Sequence, residues 1–244
     1  MSENEEIATN KPLKGQVEIG EEKSKAIVHK DSALRRLDIS FNKHIELSEY
    51  KKSNLLAYWI TDFSNYHDNE KTFDIKQLKT FKRGDIIKVN LGFNIGNELG
   101  GLHYCIVLNK NDNPYSGTLN IIPLTSQKKN KIYNDNTCVN LGDGLYISLN
   151  NMCNKEYKKW KEKFDNVDKE EDIKQLEKIL QELEYLTKLQ TEILKMKHGS
   201  IALVQQITTI SKQRIYNSSF LSKIKLSNQA LDLIDSKIKK LYTK

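Results

Sequence analysis

The apolar periodicity of this chain switches between helical and strand spacing several times, and those switches constrain its fold more than any other feature. From Asp31 to about Phe81 apolar residues recur at helical spacing, clearest over Lys51–Phe63, where Leu55, Leu56, Trp59, Ile60 and Phe63 share one face. Asp31 and Ser32 are suited to cap the first of these helices. From Asp85 the pattern becomes that of strands. DIIKVNL (Asp85–Leu91) alternates, LHYCIVL (Leu102–Leu108) is continuously apolar, and TLNIIPL (Thr118–Leu124) and TCVNL (Thr137–Leu141) follow. Leu145–Leu149 is read as a further short strand. Turn chemistry separates these runs at NKNDNPYSG and at Gly142-Asp143-Gly144.

A second helical stretch runs from Asn154 to about Lys197. Leu176, Ile179, Leu183, Leu186, Gln190 and Ile193 form a heptad-like stripe, broadened by Leu180, Leu189 and Leu194. That stripe is wider than a strict coiled-coil seam, which favours packing within the protomer. Gly199, after His198, stands where helices commonly stop. IALVQQITTI (Ile201–Ile210) reads as a strand, and Ser227–Leu241 as an amphipathic helix. The expected organisation is a polar, disordered tail over 1–28 and a helical extension over 29–79. A β domain follows over 80–244, interrupted by a helical insertion at 152–198. The fold class is α+β, built on a small antiparallel barrel or sandwich.

Composition narrows the function classes. The 244 residues carry 39 Lys and Arg against 32 Asp and Glu, a net charge of +7. Most of the excess lies in residues 201–244, with eight basic and two acidic side chains. Such a surface suits a polyanion, and equally a solubility role. Cys105, Cys138 and Cys153 are far apart and lack a C-x-x-C pair, so neither a disulfide framework nor a zinc site is expected. No metal or other cofactor is expected. A reducing, cytoplasmic setting follows from this cysteine usage. No apolar run nears the ~18–20 residues of a membrane helix. The polar start MSENEEIATNKP lacks the basic and apolar regions of a signal peptide.

Phe81-Lys82-Arg83-Gly84-Asp85-Ile86, followed by VNLGFNIGNELGGLHYCIVLNKND, resembles the opening of PemK/MazF-type toxins. There an R-G-D-[IV] strand start leads to G-x-E-x-G-G and an R-P-x-[LV]-[VI] strand. IIPLTSQKKN resembles the family strand that ends in Thr or Ser. ALVQQITTISKQRI resembles E-Q-I-R-T-I-D-K-Q-R-L, and NQALDLIDSKIKKL resembles the C-terminal helix. The resemblance implies an SH3-like barrel, a homodimer, and a metal-independent endoribonuclease. Its substrate would be single-stranded RNA, and a cognate antitoxin protein would block it. The related barrel of gyrase-poisoning toxins implies the alternative, a non-catalytic module that binds RNA or protein. At the family's catalytic Arg stands His103, with Tyr104 in place of the Pro. Gln205 occupies the acidic position before the family Gln, while Thr208 and Ser211 replace the Arg and Asp of R-T-I-D.

Metal-free RNA cleavage needs a base for the 2′-OH, an acid for the 5′-oxygen, and donors or cations for the charge developing on phosphorus. An imidazole titrates near neutrality and can exchange that proton, so His103 is a candidate; a lone His opening an apolar strand also fits a structural role. Thr125 and Ser126 can donate to a phosphate oxygen, or cap a turn. Glu98 can serve in proton transfer, or fold the glycine-rich loop. Lys128 and Lys129, with Lys131, can supply cationic charge. Asn97, Gln205, Gln206, Lys212 and Arg214 complete the candidate RNA contacts, with a sheet-edge role open for the two glutamines and a solvated role for the two cations.

Overall fold

The protein was analysed as a computed structural model that describes residues 14–77, 80–167, 173–216 and 224–243. Among the described residues it contains five α-helices, α1 (Lys14–Glu46), α2 (Tyr50–Asp68), α3 (Gly144–Asn166), α4 (Ile173–Leu194) and α5 (Asn228–Tyr242). Seven strands accompany them: β1 (Ile86–Asn90), β2 (Leu102–Val107), β3 (Thr118–Ser126), β4 (Val139–Asn140), β5 (Ser200–Ala202), β6 (Thr208–Ser211) and β7 (Ile215–Tyr216). The α+β class is therefore met. The chain divides into two compact units, Met1–Ile60 and Thr61–Lys244.

In the first unit α1 runs through Asp31 and Ser32 without a break, so the cap expected there is absent. Residues 14–28, read from composition as disordered tail, are helical; residues 1–13 lie outside the described residues. The sequence reading missed this because the stretch is amphiphilic only weakly. Its helix is supported locally by good helix formers and an exposed Glu21–Lys25 pair at one-turn spacing (2.8 Å).

All pairings in the second unit are antiparallel, with strand order β4-β5-β3-β2-β1-β7 and β6 added on β3. No pairing among the described residues joins β4 to β7, so the sheet is open where a closed barrel was expected. The predicted strand over Ile201–Ile210 is divided. β5 pairs the C-terminal end of β3 (Leu124↔Ala202) and β6 its N-terminal half (Ile121↔Thr208). Three steps along β3 thus correspond to six along the returning chain, and a 3₁₀ turn at Val204–Gln206 takes up the surplus.

The continuous apolar character of β2 has a direct cause, since both faces of the sheet are covered. Ile86, Tyr104, Ile106, Ile122 and Leu124 point to one core, shared with α3, α4 and Ile234 of α5. Ile87, Val89, Cys105, Val107 and Ile121 point to the other. Leu145–Leu149, expected as a strand, opens α3 instead. Leu145, Leu149 and Cys153 recur every four residues and are all buried on the helix face that meets the sheet. The helical stripe accordingly packs within the protomer. Trp160 Nε1 donates to the Ile179 carbonyl (2.7 Å), tying α3 to α4.

The two ends of this helical excursion meet. Leu141 N donates to Ser200 O and Ser200 N to Gly142 O, both at 2.9 Å. Gly199 sits there at φ +111°, and a Cβ on it would lie 3.1 Å from the Gly142 carbonyl oxygen.

Ile193 of α4 is wholly buried, whereas Ile132 is 97% exposed. Ile193→Ala is expected to lower unfolding stability by about 2–5 kcal/mol, and Ile132→Ala by less than about 0.5, in paired urea titrations.

Candidate functional site

The loop between β1 and β2 is shaped by glycine. A Cβ on Gly100 would stand 2.7 Å from the Gly92 carbonyl oxygen, so only glycine lets the two strands of the loop close this tightly. Gly101 N donates to that same oxygen. Across from the loop, Gln206 of the 3₁₀ turn fastens it in place. Leu99 N donates to Gln206 Oε1 (2.8 Å), and Gln206 Nε2 donates to Asn97 O (3.1 Å). The amide of Gln206 is therefore committed at both ends to holding the loop, which favours the structural alternative for this residue. Asn97 contributes through its main chain, and its side chain lies in an exposed stretch.

This fastening encloses a mainly polar cavity of about 350 Å³, whose wall includes Asn94, Glu98, Pro123, Gln205, Gln206, Thr208 and Arg214. Four sequence candidates thus converge: Glu98, Gln205, Gln206 and Arg214. Asn94 and Thr208 join them, and no motif signalled Asn94. Arg214 is half-buried and donates from Nε to the Asn90 carbonyl (2.8 Å). Burial lowers its pKa from the ordinary value, yet a guanidinium remains charged at any physiological pH. Asn90 is itself held by Asp62 Oδ2 (2.7 Å) and the Tyr66 hydroxyl (3.3 Å). Gln213 Nε2 donates to the Tyr66 carbonyl (2.7 Å). The C-terminal end of α2 thereby braces the segment that carries Arg214.

His103 is half-buried at the start of β2 and does not line this cavity. Its Nδ1 lies 2.9 Å from the Leu124 carbonyl oxygen. A carbonyl can only accept, so Nδ1 carries the hydrogen and Nε2 is the nitrogen that can take up a proton. Burial lowers the imidazole pKa from 6.5, while the Leu124 and Gly100 carbonyls oppose the shift by favouring the charged form. His103 shares a sheet face with Cys105, two residues on. The β2–β3 register sets Cys105 against Pro123.

Thr125 and Ser126 end β3 half-buried, paired with Ile201 and Ser200. Ser126 O accepts from the Tyr133 hydroxyl (2.9 Å), which folds the following loop back on the strand end. Lys128 and Lys129 are exposed on that loop, and Lys131 lies 5.2 Å from the Tyr133 ring centroid. The loop is also gripped from α5. Lys237 donates to Asp135 O, and Lys240 to Asn136 Oδ1 (3.4 Å).

Lys212 departs from its expected place at the RNA surface. It is 2% exposed, and its ammonium stands 2.8 Å from Asp112 Oδ1, in ion-pair contact, while donating to Asn113 O (3.2 Å). The alternation of β6 and the 3₁₀ turn after it point this side chain inward. It anchors the 109–117 turn and is not offered to a ligand.

Among the described residues no group of three His, Cys, Asp or Glu side chains is placed to hold a metal, and no helix is long and apolar enough to cross a membrane. The arrangement defines an α+β protein whose open antiparallel sheet presents a polar cavity, a fixed guanidinium and a half-buried imidazole around one glycine-rich loop. Residues 82–183 match the family model of the PemK-like, MazF-like toxin of type II toxin-antitoxin systems. That span holds β1 to β4, α3 and the first half of α4, and it includes His103, Glu98, Thr125 and Ser126. No curated protein matches the chain.

Replacing Lys212 by Ala leaves the Asp112 carboxylate buried without its cation. The expected loss is about 3–5 kcal/mol of stability, read from urea unfolding. Double replacement of Lys212 and Asp112 by apolar residues of similar size should recover much of it.

Proposed function

We propose that this chain is the toxin of a type II toxin–antitoxin pair and a sequence-specific, metal-independent endoribonuclease acting on single-stranded RNA in the cytoplasm. The observation that carries the proposal is His103. It stands where the family has its catalytic Arg, with Nδ1–H committed to a carbonyl and Nε2 left as the proton acceptor. In this reading His103 takes the proton from the 2′-hydroxyl. Arg214, held by the Asn90 carbonyl, supplies the fixed positive charge that an imidazole lacks. Thr125, at the end of β3, donates to a non-bridging phosphate oxygen, with Ser126 beside it. Glu98, in the cavity wall, protonates the leaving 5′-oxygen. Gln205, exposed in that wall, meets a base edge, and Lys128 and Lys129 meet the backbone phosphates.

The strand pattern, with β3 shared between two partners on one edge, supports an SH3-like barrel opened on the β4 and β7 sides. The protein acts as a homodimer in this reading, and a cognate antitoxin covers the RNA surface. The second reading is a non-catalytic barrel that binds RNA or a protein. It draws on a single observation, that His103 lies outside the wall of the cavity that gathers Glu98 and Arg214.

Incubation with long single-stranded RNA in EDTA separates the two. Cleavage is expected, and His103→Ala should lower its rate by about 10²–10⁴-fold. Because burial lowers the His103 pKa, the base stays deprotonated to a lower pH than a free imidazole. The acidic limb of the rate profile should therefore fall below pH 6.5, and it should vanish in the Ala variant. RNA left intact by the wild type under all conditions would exclude the enzyme. Cleavage indifferent to His103→Ala would remove His103 from the mechanism.

A further inference from the structure

Asn90, the last residue of β1, joins three parts of the second unit through one carboxamide and one carbonyl. Its Nδ2 donates to Asp62 Oδ2 (2.7 Å) and to the Tyr66 hydroxyl (3.3 Å), both on α2. Its Oδ1 accepts from Gly92 N (3.0 Å), where the glycine-rich loop begins. Its main-chain oxygen accepts from Arg214 Nε (2.8 Å). We infer that Asp62 is a positioning residue for Arg214. It orients the Asn90 carboxamide, and through Asn90 it fixes both the guanidinium and the loop that line the polar cavity. The inference rests on the reading above, in which Arg214 supplies fixed charge to RNA cleavage.

Three observations carry it. The first is the placement of the α2 side chains. Asp62 and Tyr66 are one turn apart and share a helix face. Both are half-buried, while Phe63, Ser64 and Asn65 between them are exposed. Neither lies within residues 82–183, the span that matches the family model, so the contact is supplied by the helical extension that precedes it.

The second is the direction of the hydrogen bonds. A carboxylate accepts, so Asp62 determines which end of the Asn90 amide is Nδ2. Oδ1 is then the atom that faces the Gly92 N–H. Reversal of the amide would set donor against donor at Gly92 and acceptor against acceptor at Asp62.

The third is how far a displacement of Asn90 would travel. Its neighbour Leu91 donates from N to the Gly101 carbonyl (2.8 Å), so the loop closes on the same segment. Gln213, beside Arg214, donates from Nε2 to the Tyr66 carbonyl (2.7 Å), a second tie from α2 to the segment of Arg214. A guanidinium is planar, and one fixed N–H direction constrains the rest of its fork. Such a charge lowers a barrier only when it is in place before the reaction begins.

The test uses the full chain labelled with ¹⁵N. Exchange of the Arg214 Nε–H with water is followed by NMR, its signal assigned by its loss in Arg214→Lys. RNA cleavage in EDTA is followed in parallel. Asp62→Ala is expected to speed the exchange several-fold. It should lower kcat by about 10–100-fold, the scale of a misplaced catalytic group, with KM within about twofold. Asn90→Asp sets two carboxylates side by side and should act in the same way. Adding Asp62→Asn to it restores a donor–acceptor pair with the original net charge, and should recover both readouts. A role in folding alone would lower the urea midpoint and leave exchange and kcat of the folded protein unchanged, which overturns the inference. If wild-type RNA stays intact while the exchange rises in Asp62→Ala and recovers in the double variant, the positioning stands and the nuclease reading fails. If folded Asp62→Ala keeps the wild-type exchange rate, the inference is overturned whether or not RNA is cut. Cleavage with an unchanged kcat in that variant overturns it as well.

Discussion

The second unit of this protein depends on the pairing of a single strand. β3 meets β2 along one edge and divides its other edge between β5 and β6. Every backbone group of a buried strand must find a partner, so the residues between β5 and β6 have to turn aside while both strands stay in register. The 3₁₀ turn that results carries Gln205 and Gln206. Gln206 then fixes the β1–β2 loop, and the loop carries Glu98. The polar cavity is thus a by-product of how β3 satisfies its hydrogen bonds, and its geometry is inherited from the sheet.

Basic charge in this chain serves two different ends. Lys212 is consumed inside the fold by Asp112, and Arg83 pairs with Asp235 of α5. Arg214 is partly desolvated against a carbonyl. Such groups hold segments in place and lend little to long-range attraction. Lys128 and Lys129 remain in solvent, where they can act on a polyanion at a distance and are screened by salt. A net charge read from composition joins these two populations, although only the second acts on a charged partner at a distance.

The same distinction explains what was legible in the sequence. Strand positions and the amphipathic α5 could be read because alternation and helical spacing are local consequences of burial. Leu145–Leu149 misled because five residues are too few to separate a strand from the first turn and a half of a helix. The division of Ile201–Ile210 was hidden because its cause is a register on β3, some eighty residues away. Motif matches singled out Glu98, His103 and Thr125 as site candidates. They could not show that Lys212 turns inward, since an ion pair with Asp112 leaves no trace in spacing. Nor could they show that Gln206 is occupied by the backbone of Asn97 and Leu99.

The meeting of Leu141 and Gly142 with Gly199 and Ser200 has an evolutionary consequence. A segment that leaves and re-enters at hydrogen-bonded neighbours asks nothing of the sheet beyond that junction, and loop length between fixed ends weighs only logarithmically on stability. The helical pair can therefore lengthen, shorten or be exchanged among related chains while the strands keep their register. Its inner face is less free, because Leu149, Cys153 and Ile193 complete a core that the strands cannot close alone. Drift in this cassette is thereby channelled to its outer surface and its rim. Diversification there can proceed without disturbing the strand pairing.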